Sequence, residues 1–328
     1  MPQTPLPPAA YQLRSPEAAA LVRQIEHRRV SVAFSPLRPV EVPTALVHQP
    51  AALKISNLDA PPLLLLPGFD SSLLEFRSLL PRLAPHSVWA MDPLGFGFTA
   101  QAAGWPVNRL TIRQHLYRSW QTLINRPVAL VGASLGGAIA MDFALAHPEC
   151  VARLILINSV GFSGHFLAGP LLFSPIDRLG VGWLRLRKRV MHQALSALPG
   201  YPVLPENSIL PGYSVLPEVT AWREAALCAA LHHERPGWEE AIISFTKSGG
   251  YSGIERSIAA IRQPTLVVWG ERDDVLGIKD ADRFRRTLPH SQLVWIAGGF
   301  HTPHLVNPQA VARAVEAFLG NTIPEPSP

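Results

Sequence analysis

Short, continuous apolar runs alternate along this chain with amphipathic segments of helical length. Five such runs are apolar at nearly every position and lie at residues 62–66, 88–91, 128–131, 151–157 and 265–269. A continuous apolar run of this length is typical of a strand buried on both faces of a parallel sheet. Strands that alternate with helices, joined by right-handed crossovers, predict a mostly parallel, doubly wound α/β sheet.

Further elements follow from the same periodicities. Strands are predicted at 30–34, 40–47 and 292–296, which brings the predicted sheet to eight strands. Helices are predicted over 15–29, over 72–83 and from 111 to about 124. The last two are favoured because Ser72 and Glu75, like Thr111 and Gln114, have the spacing of a capping box.

The alternation breaks between residues 161 and 253, where Pro and Gly are frequent and helical pieces are predicted only near 183–198 and 217–233. Residues 1–160 and 254–328 are therefore predicted to form the core, and 161–253 a helical cap. Such an insertion would lie above the carboxyl ends of the strands, where open α/β sheets bind ligands. The Pro-rich ends, 1–16 and 321–328, are expected to be loose.

The amino-acid composition limits the classes of function that this protein could have. Hydrophobic residues make up 48% of the chain and charged residues 16%, which fits a globular protein. The net charge is +5, but the sequence has no dense run of basic residues with aromatic residues between them, so no nucleic-acid partner is expected. Cys150 and Cys228 have no metal-type spacing and fit a reducing compartment. Without a visible signal peptide or membrane span, we expect a cytoplasmic protein, at most peripheral to a membrane.

The motif Gly132-x-Ser134-x-Gly136 follows the apolar run 128–131 and precedes a predicted helix. A strand, this motif and a helix are the context of a nucleophile elbow, in which a sharp turn exposes the serine hydroxyl. Glycines suit a turn this tight, and the helix N-terminus favours developing negative charge nearby. The alternative is a Gly/Ser-rich turn, since the motif also occurs by chance.

A serine nucleophile requires a histidine base that is oriented by a carboxylate. Asp273 and Asp274 follow the apolar run 265–269, and His301 and His304 follow the strand predicted at 292–296. These side chains stand just past the ends of two late strands, where they could converge on Ser134. Either acid could be a solvated turn residue, and either histidine could be a loop residue without a catalytic task.

These motifs, taken together, resemble the α/β-hydrolase superfamily across nearly the whole chain. The family acid follows a strand-end glycine as Gly-x-x-Asp, which selects Asp273 over Asp274. The family histidine usually stands two residues before a proline, which selects His301 over His304. Some members carry the acid after the strand that follows the elbow helix, but here that position is Asn158, which cannot ionise.

The resemblance also implies an oxyanion hole. In the family, the loop after the strand at 62–66 normally reads His-Gly, and here it reads Pro67-Gly68. The residue after this glycine supplies one donor, so the backbone N–H groups of Phe69 and Leu135 are the expected donors. The stretch from Asp92 to Thr99 resembles a family signature with a structural role. A serine at the elbow argues against the dehalogenases and epoxide hydrolases of this fold, and no cofactor or metal is expected.

Three stretches, 67–77, 235–238 and 244–251, resemble the chlorophyll dephytylase-like hydrolases of cyanobacteria and plastids, which cleave the phytyl ester of chlorophyll and related pigments. This resemblance implies a small lipophilic ester as substrate. Phe162, Trp183 and Trp238 are the expected substrate-binding residues. The alternatives are a small-molecule carboxylesterase, a C–C bond hydrolase of the same fold, and a non-catalytic binding protein.

Residues 183–191 combine apolar positions with four cationic ones. Such a segment could lie on an anionic membrane surface of thylakoid type, with its apolar face turned to lipid. The favoured alternative is a cap helix that covers the active site with its apolar side and exposes its arginines to water. The sequence does not indicate an oligomeric state.

Overall fold

The computed structural model describes residues 6–13, 15–35, 38–51, 60–162, 179–180, 182–183, 186, 228 and 231–320. Its strands are β1 (Glu26–Val32), β2 (Val40–Gln49), β3 (Leu63–Leu66), β4 (Val88–Met91), β5 (Val128–Ala133), β6 (Val151–Ile157), β7 (Thr265–Gly270) and β8 (Ser291–Ile296). They form one eight-stranded sheet in the order β1-β2-β4-β3-β5-β6-β7-β8. Strand β2 is antiparallel to β1 and β4, and the other neighbours are parallel.

The described helices are α1 (Pro16–Val22), α2 (Arg109–Leu123), α3 (Leu135–Ala146), α4 (Trp238–Lys247), α5 (Lys279–Thr287), α6 (Pro303–Val306) and α7 (Pro308–Gly320). Two apolar clusters lie on the two faces of the sheet. Leu64 and Leu66 belong to the cluster that includes residues of α2 to α5, whereas Leu63 and Leu65 belong to the cluster that includes residues of α1 and α7. Strand β3 is therefore buried on both faces, and the predicted doubly wound α/β sheet is confirmed.

The helix predicted over 72–83 is wrong. The structure has two short 3-10 turns there, Leu73–Phe76 and Leu80–Leu83. The expected capping box does not form because the Glu75 carboxylate accepts the Gly68 N–H at 3.1 Å, and Ser72 makes no side-chain cap. The N–H of Leu73 donates instead to Asp92 Oδ1 at 2.6 Å. Contacts with distant loops thus replace the local helix cap.

Two other helix boundaries also differ from the prediction. Helix α2 is capped by Asn108, whose side chain accepts the Thr111 N–H while the Thr111 hydroxyl accepts the Asn108 N–H. Thr111 is therefore the third helical residue and not the cap. Helix α1 ends at Val22, and residues 26–29 pair with β2 as part of β1.

The predicted cap falls between β6 and β7 in the chain, and most of it lies outside the described residues, as do most of the helical pieces predicted at 183–198 and 217–233. Its described C-terminal part contains the 3-10 turn His232–Glu234 and helix α4, which packs into the core. In the part of the chain that the structure describes, no helix combines the length and apolar character that crossing a membrane requires.

Candidate active site

Ser134 stands at the sharp turn between β5 and α3. Its backbone has φ 50° and ψ −116°, an uncommon conformation for a residue with a side chain. The Ser134 N–H donates to Ile157 O and the Ser134 carbonyl accepts the Val160 N–H, both at 3.0 Å. These bonds to the end of β6 hold the turn in its strained conformation.

The two glycines of the motif are required by close backbone approaches. A Cβ atom on Gly132 would collide with the backbone of Gly136 and Gly137. A Cβ atom on Gly136 would collide with the carbonyl of Leu66, at the end of β3. The spacing Gly-x-Ser-x-Gly therefore has a steric cause, because the first turn of α3 crosses directly over the ends of β5 and β3.

The structure brings together the three side chains that the sequence selects as a triad. His301 Nε2 lies 3.0 Å from Ser134 Oγ, and His301 Nδ1 lies 3.1 and 3.2 Å from the two Asp273 carboxylate oxygens. Asp273 follows β7 and His301 precedes α6, so the parallel order β5-β6-β7-β8 carries all three to one edge of the sheet. The distances are those of hydrogen bonds from hydroxyl to imidazole and from imidazole to carboxylate.

The Asp273 carboxylate is held in its ionised form. Oδ1 accepts the backbone N–H groups of Val275 and Leu276 at 2.9 and 3.0 Å, and Oδ2 accepts the Asn158 amide at 2.6 Å. Burial acts to raise the pKa of Asp273, but the hydrogen bond and charge of His301 and these two N–H groups outweigh it, so the pKa lies below its ordinary value. An ionised Asp273 can orient the His301 ring and stabilise it when it is protonated.

Asn158 is a site residue whose role the sequence did not predict. It follows β6 with φ 40°, is fully buried, and accepts the Gly270 N–H on its Oδ1 at 3.0 Å while its amide group donates to Asp273. The position that carries the acid in some members of the fold thus supports the acid from β7 here. The sequence feature that could have indicated this role is the position of Asn158 directly after β6.

The loop after β3 lies directly against the elbow. A Cβ atom on Gly68 would be 3.3 Å from Ser134 Cβ, which places Phe69 beside the nucleophile. Leu135 is the first residue of α3, where backbone N–H groups have no partner within the helix. The two expected oxyanion donors therefore belong to segments that flank Ser134.

A buried carboxylate braces the loop after β3. Glu75 Oε2 accepts the Gly68 N–H at 3.1 Å, and Glu75 Oε1 lies 3.2 Å from His304 Nε2. The second contact is close but lacks the alignment of a hydrogen bond. His304 is buried and faces Glu75, so His301 is the histidine that contacts Ser134.

The stretch from Asp92 to Thr99 has structural contacts. The buried Asp92 carboxylate accepts the N–H groups of Leu73 and Phe98 at 2.6 and 2.7 Å, and any side chain on Gly97 would collide with it. Burial raises the pKa of Asp92 to about 8, although both N–H groups favour the ionised form. The Thr99 hydroxyl accepts a backbone N–H of β2 at 2.9 Å.

Asp70, directly after Phe69, is the centre of a second polar cluster. Its Oδ1 lies 3.1 Å from His232 Nε2, 2.8 Å from His233 Nε2 and 3.3 Å from the donating Trp238 Nε1. Among the described residues, Asp70, His232 and His233 place one ligand atom each within 4.8 Å of one another and could hold a metal ion. The sequence carries no local motif for this cluster, because Asp70 lies 162 positions from His232.

The expected substrate-binding residues have different surroundings. Trp238 is 1% exposed and its indole N–H faces Asp70, so its packing leaves almost no surface for a substrate. Phe162 packs on Phe284, with ring centroids 4.9 Å apart, and beneath the Arg283 guanidinium. Trp183 is 44% exposed. The structure thus brings Trp238 to the loop after β3 as a buried support, and Phe162 to α5.

Comparisons with known proteins agree with this architecture. Residues 61–186 match the family model of the alpha/beta hydrolase fold. The "alpha/beta hydrolase domain-containing protein VTE7" of Arabidopsis thaliana is 31% identical over 322 residues, which cover 97% of this chain and 90% of that protein. Among solved structures, a thermophilic esterase from Thermogutta terrifontis superposes with a TM-score of 0.66 at 20% identity, over 89% of this chain and 97% of that one.

Two further relatives carry names that describe their reactions. The 2-hydroxy-6-oxo-2,4-heptadienoate hydrolase of Pseudomonas putida is 27% identical over 75% of this chain and 83% of its own length. The chloroplastic pheophytinase of Arabidopsis thaliana is 30% identical over 34% of this chain and 29% of its own length. Given its sheet, its elbow and a relative matched over nearly its full length, the chain belongs to the α/β hydrolase family and is a hydrolase of that fold.

Proposed function

We propose that this protein is a serine hydrolase that cleaves a carboxylic ester of a lipophilic substrate through an acyl-enzyme. The observation that carries the proposal is the continuous chain of contacts from Ser134 Oγ through His301 to the buried Asp273 carboxylate. An ordinary serine hydroxyl is a poor nucleophile, and a base at 3.0 Å is what activates it.

The geometry supports the following steps. Ser134 Oγ attacks the ester carbonyl carbon while His301 Nε2 takes the hydroxyl proton, and the resulting oxyanion accepts hydrogen bonds from the N–H groups of Phe69 and Leu135. When the tetrahedral intermediate collapses, the ester C–O bond breaks and His301 protonates the leaving alcohol. Water, deprotonated by His301, then attacks the acyl-enzyme; the bond from the acyl carbon to Ser134 Oγ breaks, His301 returns the proton to Oγ, and the acid is released. Each oxyanion donor is worth about 3 kcal/mol of transition-state stabilisation.

An aromatic cluster beside the oxyanion loop supports a lipophilic substrate. The ring of Phe69 lies 6.1 Å from the rings of Phe96 and Phe245, which are themselves 5.2 Å apart. Phe96 and Phe245 are themselves 3% and 6% exposed, so they back the partly buried Phe69 ring, which favours an apolar group over a charged one next to the reacting carbonyl. With the resemblance to dephytylase-like enzymes and the similarity to a pheophytinase, it makes the phytyl ester of chlorophyll or pheophytin the preferred candidate.

Peripheral contact with a membrane is part of this proposal. Leu179, Trp183 and Leu186 are 74%, 44% and 58% exposed, and their spacing of four and three residues is that of one helix face. The surrounding sequence carries Arg185, Arg187, Lys188 and Arg189, which would complement anionic lipid. Flotation with anionic vesicles tests this, and a Trp183→Glu variant should bind them less than the wild type.

C–C bond hydrolysis is the second candidate function, because the heptadienoate hydrolase of Pseudomonas putida matches 75% of this chain. The same triad could serve either reaction, so the site alone does not separate them. A non-catalytic binding protein is less well supported, since a binding role requires no serine, histidine and carboxylate in hydrogen-bond contact.

A substrate panel separates these functions. The purified protein would be assayed with chlorophyll a and pheophytin a in detergent, p-nitrophenyl butyrate and palmitate, and 2-hydroxy-6-oxo-2,4-heptadienoate, with Ser134→Ala as the control. We expect release of chlorophyllide or pheophorbide by the wild type and not by the variant. Hydrolysis of butyrate alone would contradict the pigment assignment, and cleavage of the dienoate alone would favour the second candidate.

A further inference from the structure

We propose that Asp70 is a positioning residue for the oxyanion hole, through which the C-terminal part of the cap holds the Phe69 N–H against Ser134. The proposal rests on the proposed role of Ser134 as nucleophile and of Phe69 as oxyanion donor. It assigns to Asp70, His232, His233 and Trp238 a shared task in catalysis without direct contact to the reacting atoms.

The backbone at Asp70 is strained. Its φ of 52° lies in the left-handed region, which a residue with a side chain adopts at a cost unless surrounding contacts hold it there. Asp and Asn tolerate this region better than most residues. Because Asp70 directly follows Phe69, a change of its backbone conformation would also turn the loop that carries the donor.

Among the described residues, one segment of the cap supplies three of the contacts around Asp70. His232 and His233 belong to a 3-10 turn and Trp238 begins α4, and all three nitrogens approach the same Asp70 oxygen at 2.8 to 3.3 Å. Asp70 is 8% exposed and Trp238 and His232 are each 1% exposed, so water competes little for these bonds. The His233 and Trp238 rings pack with centroids 4.0 Å apart, which restricts movement of the donors.

The opposite end of the loop is held by the core. Glu75 accepts the Gly68 N–H at 3.1 Å, and Gly68 is packed against Ser134. The peptide group that carries the Phe69 N–H therefore lies between a contact fixed by the core, at Gly68, and one fixed by the cap, at Asp70. A peptide held at both ends keeps its N–H direction, which is the preorganisation that an oxyanion hole requires.

The rate at which a fluorophosphonate labels Ser134 tests the proposal without knowledge of the physiological substrate. In this reaction Ser134 Oγ bonds to phosphorus, His301 accepts the serine proton, fluoride leaves, and the phosphonyl oxygen occupies the oxyanion hole. We expect Asp70→Ala to label about 10- to 100-fold more slowly than the wild type. Asp70→Asn should label within about threefold of it, because the amide oxygen still accepts and Asn tolerates the left-handed backbone.

Two further variants keep the test decisive if Asp70→Ala does not fold. His233→Ala removes one donor of the cap and leaves the loop unchanged, and should label several-fold more slowly, whereas His233→Gln should recover most of the rate. With p-nitrophenyl butyrate, the loss should appear in kcat with little change in KM, because the missing interaction is made in the transition state.

The outcomes separate this inference from the proposed function. If folded Asp70→Ala and His233→Ala label at the wild-type rate, the positioning role is wrong even if the ester activity is real. If the wild type does not label, the proposals for Ser134 and Asp70 both fail. If EDTA abolishes labelling and Zn²⁺ restores it, a bound metal replaces the hydrogen-bonded cluster and overturns the inference.

Discussion

The Asn158 amide donates a 2.6 Å hydrogen bond to Asp273 Oδ2, on the opposite side of the carboxylate from the two backbone N–H groups that Oδ1 accepts. Asn158 also accepts the Gly270 N–H and so joins the ends of β6 and β7. The neutral side chain after β6 therefore fixes the charged side chain after β7, and with it the direction in which His301 is held.

Replacing Asn158 by Ala should reduce both activity and stability. Asp273 would lose a charge-assisted hydrogen bond, and the buried Gly270 N–H would lose its acceptor. Together these losses should lower the free energy of unfolding by about 1.5–3 kcal/mol. We expect kcat on p-nitrophenyl butyrate to fall about tenfold, since Asp273 is then less firmly held. Urea unfolding and steady-state kinetics measure the two effects, and unchanged kcat would show that Asp273 needs no support from β6.

Adding a methyl group at Gly68 should lower kcat without unfolding the protein. The new Cβ would lie 3.3 Å from Ser134 Cβ, which is tighter than most real Cβ contacts, so the loop and the elbow must move apart by a few tenths of an ångström. A shift of this kind moves the Phe69 donor and should reduce kcat about 10- to 100-fold, with KM nearly unchanged. A Gly68→Ala enzyme with wild-type kcat would argue against Phe69 as an oxyanion donor.

The two neighbouring histidines should respond very differently to the same substitution. His301→Gln removes the base and should lower kcat by about 10⁴-fold or more. His304→Gln changes contacts with Glu75 and with the Phe76 ring and should reduce kcat far less, while lowering Tm because His304 is 1% exposed. Parallel kinetics and thermal unfolding of both variants check this, and a larger loss of kcat in His304→Gln would reverse the assignment.

Asp92 should make the free energy of unfolding decrease as pH rises. Its pKa is about 8 in the folded protein against an ordinary value of 3.8, so over this interval the folded state binds more protons than the unfolded state. The contribution of Asp92 to the unfolding free energy is therefore fully present below the lower value and is lost as pH rises toward 8. The stability of the wild type relative to Asp92→Asn should fall accordingly.

Urea unfolding of wild type and Asp92→Asn between about pH 5 and about pH 9 measures this difference. It should decrease up to the folded-state pKa near 8 and then level off. A difference that is constant with pH, or that grows as pH rises, would show that the carboxylate is ionised in the fold and that its two N–H donors outweigh its burial.

The sheet and the convergence of Ser134, Asp273 and His301 were predictable because their signals are local. Apolar runs mark the strands, and Ser134, Asp273 and His301 each stand just past a strand end, where parallel topology gathers them. The 72–83 region was mispredicted because Glu75 accepts a hydrogen bond from the loop after β3, and no sequence pattern within 72–83 indicates that contact. The Asp70 cluster is likewise formed by contacts 162 to 168 positions apart.

The most direct measurement is rapid mixing with p-nitrophenyl butyrate, followed by acid quenching and mass analysis of the peptide that contains Ser134. We predict a burst of p-nitrophenol equal to the enzyme concentration and a butyryl group on Ser134, with neither in Ser134→Ala. Turnover by Ser134→Ala at the wild-type rate, or an acyl group on another residue, would contradict the proposed mechanism.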